Sequence, residues 1–209
     1  MDRKNVPYNA RNPFVLKVIL HVEQLYALPP LNSYIYHNLD HTRSVVAAIQ
    51  LLANDIDLPE EEKEIGVVAA WLHDIGHVGG STGHEERSAR MAREFLTGIG
   101  YPSPMIDRVC DTILATRLPQ NPRNELERLI CDADLSYLGT SDALRQAELL
   151  REEWEMLRGK AYGEEEWLRI NIGFFDAHQY HTNAARKRYE KIRAENLQIL
   201  KKKLSKVLA

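Results

Sequence analysis

Apolar residues along this chain recur at intervals of three and four, and nowhere do they settle into the strict alternation that a half-buried strand requires. That pattern restricts the fold to packed helices, and the expectation is all-α: a single compact helical domain with a long C-terminal helix. His41, Val45, Ala48 and Leu52 share one helix face, and His84, Ser88, Met91 and Phe95 share another. Ile65, Val68, Ala69 and Leu72 make a third stripe, behind an acidic first turn at Glu60, Glu61 and Glu62 that suits the positive end of a helix dipole. Leu126, Leu129, Ile130 and Ala133 make a fourth, and Tyr189, Ile192, Asn196, Ile199, Leu200 and Leu204 run along the terminal helix. The breaks are short: Pro29-Pro30, Gly79-Gly80, Gly98 to Pro104 and Pro119 to Pro122. None is long enough to link two domains. One domain over residues 1–209 is therefore expected, with a motif-bearing core at about 33–140 and a helical extension at about 141–209.

Composition narrows the class of function. A formal net charge of −3 supplies no basic field for non-specific nucleic-acid binding, so no nucleic-acid partner is expected. The run Lys201-Lys202-Lys203 with Lys206 reads as a solvated helix face. Cys110 and Cys131 form neither a Cys-x-x-Cys nor a zinc-finger pattern, which suits a reducing compartment. Met1-Asp2-Arg3-Lys4-Asn5 is polar, and the apolar run from Phe14 to Val22 is interrupted by Lys17 and His21, so it reads as a core helix and not as a signal or a membrane span. The expected location is cytoplasmic, with no membrane partner, and a homodimer is left open.

The chemistry lies in the order His41, then the pair His73-Asp74, then Asp134, each at the start or end of an apolar stripe. Burying such groups unpaired costs several kcal/mol each, and a shared divalent cation is one way to offset it. Imidazole and carboxylate donors suit Mn, Fe, Zn, Ni, Co and, less comfortably, Mg. Taken singly, each of the four reads equally well as a helix cap or a satisfied core residue.

Together they sit in three motifs: Tyr36-His37-Asn38-Leu39-Asp40-His41-Thr42, Trp71-Leu72-His73-Asp74-Ile75-Gly76-His77 and Cys131-Asp132-Ala133-Asp134-Leu135-Ser136. This succession resembles the HD-domain superfamily of metal-dependent phosphohydrolases over roughly residues 33 to 140. Tyr180-His181-Thr182 and Ala194-Glu195-Asn196-Leu197 resemble the tail of bacterial members of that superfamily. The resemblance implies metal ligation by His41, His73, Asp74 and Asp134, with open positions for water and a phosphate oxygen. It implies hydrolysis of a phosphate ester in a small compound, most naturally a nucleotide, by a metal-activated water. No Walker loop, dinucleotide glycine fingerprint or Ser-His-Asp arrangement competes with it.

His77 and His84 follow the His-Asp pair and are candidates for a second metal or for the substrate phosphate. Ile113-Leu114-Ala115-Thr116 puts threonine where dinuclear relatives carry a further histidine, so one strongly bound ion is expected rather than two. His37 resembles the histidine that opens the corresponding motif of cyclic-nucleotide phosphodiesterases and is expected, beside Asp74, as a catalytic residue: a general acid one helical turn before His41 if the helix reaches that far. Arg43 and Arg117 are weaker candidates for gripping a phosphate. His178 and His181 are read as packing and capping residues, Trp71 as packing beside the His-Asp motif, and Trp154 and Trp167 as covers for the cavity or a dimer seam. Two alternatives stand beside the phosphohydrolase: a cyclic-nucleotide phosphodiesterase, and an inactive metal- and nucleotide-binding sensor or interaction domain.

Overall fold

The computed structural model of the chain describes residues 12–209, so the polar Met1–Asn5 stretch lies outside the described residues. Among the described residues there are nine α-helices and no strand, as the periodicity predicts. They are α1 (Pro13–Tyr26), α2 (Leu39–Asp55), α3 (Glu60–Leu72), α4 (His84–Gly98), α5 (Ser103–Leu114), α6 (Glu125–Asp134), α7 (Ala143–Arg158), α8 (Glu164–Ala177) and α9 (Asn183–Val207). Short 3-10 turns at Ile75–Gly79 and Ser136–Gly139 follow α3 and α6.

Local chemistry fixes where several of these helices start. Asn12, Asn38, Asn124 and Thr182 occupy N-cap positions, each with a side-chain oxygen accepting from a backbone N–H of the first turn. The Asn38 cap sets the start of α2 at Leu39, so the helix stops short of His37 and that residue is held by other means.

α3 is the axle of the fold. It packs against α1, α2, α5 and α6, and every residue from Ile65 to Leu72 is buried. The sequence predicts one apolar stripe; in the structure the helix from Ile65 onward is apolar and enclosed on every side, while its acidic first turn reaches solvent. On α4 the buried row is Ser88, Ala89, Ala92 and Leu96, while Met91 and Phe95 are only half-buried, Phe95 stacking on His21 of α1 at 3.8 Å between ring centroids. On α9 the buried residues include Asn196, Leu197 and Leu200, and Ile192 and Ile199 of the predicted stripe face solvent. Cys110 and Cys131 are free and buried, and no helix of the described residues is long and apolar enough to cross a membrane.

The main apolar cluster runs through α1 to α6 and also takes in Tyr180, Ala184 and Ala185 from the C-terminal part. A smaller cluster of Leu135, Leu138, Ala143, Leu168, Phe175, Leu197 and Leu200 packs α8 and α9 on the turn after α6. One buried carboxylate ties the two regions together. Asp132, fully buried on α6, accepts from the backbone N–H groups of His181 (2.7 Å) and Thr182 (2.8 Å) and from the Thr182 hydroxyl (2.7 Å). Gly139 completes the junction, since a Cβ there would lie 2.4 Å from Tyr189 Cβ and 2.5 Å from its carbonyl oxygen.

Asp132→Ala removes an ionised acceptor and strands three donors, so it should destabilise the fold by about 3 kcal/mol, read as a lower urea midpoint at unchanged slope. A loss below about 1 kcal/mol would mean that apolar packing alone seats α9.

Candidate metal centre

Three helix ends meet at one point. His41 lies in the first turn of α2, His73 is the C-cap of α3 with Asp74 beside it, and Asp134 is the last residue of α6. His41 Nε2 is 3.4 Å from Asp74 Oδ2 and 3.3 Å from Asp134 Oδ1; His73 Nε2 is 3.2 Å and 3.6 Å from the same two atoms. His73 Nδ1–H donates to the Ala70 carbonyl at 2.8 Å, which leaves Nε2 as the donor atom facing the cluster. His73 Nε2 and Asp74 Oδ2 are buried and make no hydrogen bond. Ligand atoms of His41, His73 and Asp134 all fall within 4.8 Å of one another.

Burial opposes charge on each of these groups, and the opposite charges beside them outweigh it. His41 is held above the ordinary histidine range and His73 well above it, while Asp74 is held well below the ordinary carboxylate range and Asp134 below it too. A divalent cation bound among these groups would compete with protons for the imidazoles, so its binding would be linked to proton release. Two nitrogen and two oxygen donors, with orphaned atoms among them, fit such an ion.

Asp74 also faces a second group. Its Oδ1 lies 3.4 Å from His84 Nε2 and 3.8 Å from His77 Nε2, on the opposite side of the carboxylate from His41 and His73. Burial pushes the His77 imidazole down to about 2, so it is neutral, and neither of its ring nitrogens has a hydrogen-bond partner. Its ring is stacked between those of His37 (4.3 Å) and His84 (4.1 Å), and His37, Asp74 and His77 form a second set of ligand atoms within 4.8 Å. The second group is a further donor set that shares Asp74 with the first. His84 is not a cap: it opens α4 after Gly83, its Nδ1–H donates to the Ser81 carbonyl at 2.8 Å, and Nε2 turns to Asp74. Gly76 makes this approach possible. A Cβ at Gly76 would sit 2.1 Å from the His84 carbonyl oxygen and 2.6 Å from Ser88 N, so any side chain there drives the start of α4 away.

His37 is held by a residue the sequence did not reveal. Glu153, buried on α7, accepts from the backbone N–H of Tyr36 (2.8 Å) and of His37 (2.9 Å), and its other oxygen takes the His37 Nδ1–H. Burial raises the Glu153 pKa, and these bonds outweigh it and hold the carboxylate below its usual range. In sequence Glu153 is one of several glutamates on a charged helix, 116 residues from its partner, and nothing local marks it. The two arginines are not brought to the centre. Arg43 pairs with Glu23 of α1 at 2.9 Å and lies near Asp40, and Arg117 pairs with Glu86; both are largely exposed, because each finds a carboxylate on a surface helix instead of the cavity. His178 packs edge-on against Tyr180, and the His181 ring meets Gln120, away from the donors.

Above the donors lies a cavity of about 310 Å³ lined by His37, Asp74, His84 and Asp134 at one end and by Leu150, Trp154, Trp167, Ile170, Asn171 and Phe174 of α7 and α8 at the other. Trp154 and Trp167 thus cover the cavity, and Trp71 is buried within α3. Thr116 lines the same cavity, and no lysine or arginine among the described residues does. A larger cavity of about 690 Å³ lies behind Tyr36 and Tyr137, and of the donors it reaches only His41.

Residues 38–136 match the family described as HD domain. The structure is similar to that of a predicted HD superfamily hydrolase from an uncultured Thermotogales bacterium, with a TM-score of 0.64 and 18% identity over 94% of this chain and 95% of that one. No curated protein sequence matches the chain.

Elemental analysis of the purified protein and its variants tests the ligand assignment. Asp74→Ala and Asp134→Ala should each lower the divalent metal content at least tenfold at a fixed free-ion concentration, roughly the loss expected for a removed ligand or its orienting partner. His84→Ala should keep the ion of the His41–His73–Asp134 group, and a second ion present in wild type and missing from His84→Ala would assign occupancy to the second group. Wild-type content in Asp134→Ala would overturn the assignment.

Proposed function

The chain carries an HD domain over residues 38–136, and from that premise we propose that it is a metal-dependent phosphohydrolase acting on a monoester of a small compound, a nucleoside monophosphate. The observation that carries the reading is the buried cluster of imidazole and carboxylate donors with orphaned atoms, open on one side to a cavity large enough for one nucleoside-sized ligand. The cavity walls hold no fixed cation, so a single phosphoryl group resting on the donors is compatible with them, and a polyphosphate tail would be left without partners.

His41, His73, Asp74 and Asp134 would hold the cation, which supplies Lewis acidity toward phosphoryl oxygen and eases ionisation of water at neutral pH. The remaining work falls to this chain's side chains. His37 donates its Nδ1–H to Glu153, which fixes the tautomer and turns the ring, and Nε2 is the atom left free in the cavity. As an imidazolium, with its Nδ1–H held by the Glu153 carboxylate, His37 would pass its Nε2 proton to the departing oxygen, so that the alcohol leaves uncharged and the ring returns to the neutral Nδ1–H tautomer. Trp154, Trp167 and Phe174 close the far side against bulk water. The His37–Glu153 pair favours turnover over the sensor reading, since binding an ion and a nucleotide needs no oriented proton donor. The same pair would serve a cyclic diester equally well, so cyclic nucleotides belong in the substrate panel.

Activity toward nucleoside monophosphates, cyclic nucleotides, triphosphates and p-nitrophenyl phosphate, each with Mn²⁺, Mg²⁺, Zn²⁺ and Fe²⁺, tests the reaction. Monophosphates should be preferred, and the rate should vanish on chelation and return with added metal. Persistent activity in verified metal-free protein would sink the proposal.

His37→Ala should keep fold and metal while lowering kcat by about 10²–10⁴-fold on an alcohol ester, the usual contribution of a positioned acid. Much of the loss should be recovered with p-nitrophenyl phosphate, whose leaving group needs little protonation. Glu153→Gln should show a milder defect with the same dependence on leaving group. An equal loss on both kinds of ester would make His37 a positioning residue, and loss of metal would make it a ligand.

A further inference from the structure

The far end of the cavity differs in character from the metal end. Leu150, Trp154, Ile170 and Phe174 make it apolar and aromatic, and the residues that build it all lie on α7 and α8, beyond the matched residues 38–136. Its aromatic wall is braced before any ligand arrives. Trp167 meets Trp154 edge-on at 5.6 Å between centroids and Tyr162 packs on Trp167 at 5.6 Å. Arg158 covers one face of Trp154 at 3.9 Å and donates to the Tyr162 hydroxyl at 2.8 Å.

Into this wall the chain sets one polar side chain, Asn171, 6% exposed on α8. Its Nδ2 donates to the Trp167 carbonyl at 2.9 Å, which fixes the orientation of the amide, because a carbonyl can only accept. Oδ1 is thereby an acceptor on a cavity-lining residue, with no hydrogen bond to it among the described residues. An alkyl chain filling the space would strip water from that oxygen and return nothing. Thr116, which also lines the cavity, already donates to the Ile113 carbonyl at 2.8 Å. A flat ring with an N–H donor on its edge satisfies both features at once, since its faces pack on aromatic side chains and its edge meets the acceptor.

We infer that α7 and α8 form a subsite for a nitrogen-containing aromatic ring bearing an N–H donor, packed against the Trp154–Phe174 wall and read by Asn171 Oδ1. This is the chemistry of an amino- or lactam-bearing nucleobase. The inference rests on the phosphomonoesterase reading for the identity of the group at the metal end, and the ring's own binding can be measured apart from it. Asn171 sets specificity and takes no part in bond breaking.

Nucleosides without a phosphate are the probe, read by quenching of intrinsic tryptophan emission in the intact chain. Adenosine, guanosine and cytidine carry ring-edge N–H donors; purine riboside is flat and aromatic and carries none. At least one of the three should bind about tenfold more tightly than purine riboside, the scale of one well-placed hydrogen bond, and Asn171→Leu should abolish that difference while leaving purine riboside unchanged. Trp154→Leu, at a half-buried position that tolerates change, should weaken all four by about tenfold through lost stacking. If none of the nucleosides binds, or if the preference over purine riboside survives in Asn171→Leu, the subsite is overturned; should Asn171→Leu fail to fold, unaltered binding in Trp154→Leu overturns it equally. Hydrolysis of p-nitrophenyl phosphate by the metal-loaded wild type is the separate control: its absence alongside intact nucleoside binding would overturn the hydrolase reading and leave the subsite standing.

Discussion

Two acidic side chains, Asp74 and Asp134, are held beside two buried imidazoles at a point where α2, α3 and α6 converge, and the rest of the fold is organised around keeping them there. Four groups that would each choose water are brought together at the ends of elements whose sides are apolar. That is possible because the helices arrive end-first: their flanks pack, and the ends carry the polar cargo. α3 shows the division most clearly, with complete burial from Ile65 to Leu72 and His73-Asp74 immediately beyond. An axle enclosed on all sides cannot slide to relieve the crowding at its tip, so its tip is a fixed point for everything docked on it.

The second set of elements completes what the first leaves open. α9 is seated by Asp132, two residues before Asp134, so the residue that anchors the C-terminal helices and the carboxylate of the candidate metal centre share one turn of α6. α7 delivers Glu153 to His37, and α7 with α8 closes the cavity. The C-terminal helices therefore contribute both a proton-orienting carboxylate and the wall against which an organic group must pack. A cleft formed by residues 38–136 alone would present the donors to bulk water, where a cation is screened and an imidazole is free to turn.

The helices and the clustering of His41, His73, Asp74 and Asp134 were legible in the sequence because both rest on local signals. A 3.6-residue period needs only a dozen neighbouring residues to show itself, and His73-Asp74 announces itself as two polar groups ending an apolar run. What escaped the reading depends on three-dimensional register. Ile192 and Ile199 have the spacing of a buried face, yet α9 turns Asn196 inward to bind the carbonyls of Leu138 and Thr140, and that polar docking rotates the isoleucines to solvent. Glu153 is invisible for a similar reason: it lies between Glu152 and Glu155 on a helix with the composition of a solvated surface, and only the fold reveals that it faces the backbone of Tyr36 and His37. Arg43 and Arg117 erred in the other direction. Arg43, in α2, pairs with Glu23 of α1, and Arg117, in the bend after α5, pairs with Glu86 of α4, so each finds a surface carboxylate instead of the cavity.

The placement of these residues implies a separation of duties along the chain. Donors that demand a fixed geometry come from His41 to Asp134, on helices locked together by the main apolar cluster, and Gly76 shows how little freedom that region has, since even a methyl group would dislodge His84. The cavity's far wall comes from α7 and α8, which rest on the smaller cluster and touch the metal region chiefly through Glu153 and the turn after α6. Substitutions on the inner faces of these two helices change the shape and polarity offered to an organic group without moving a ligand atom. The chemistry of phosphate-ester cleavage is indifferent to that group beyond the leaving oxygen, so selectivity and reactivity are carried by different stretches of sequence. Only the turn of α7 carrying Glu153 belongs to both. There Trp154 stands on the cavity surface and its neighbour Glu153 holds the His37 imidazole that faces the same space.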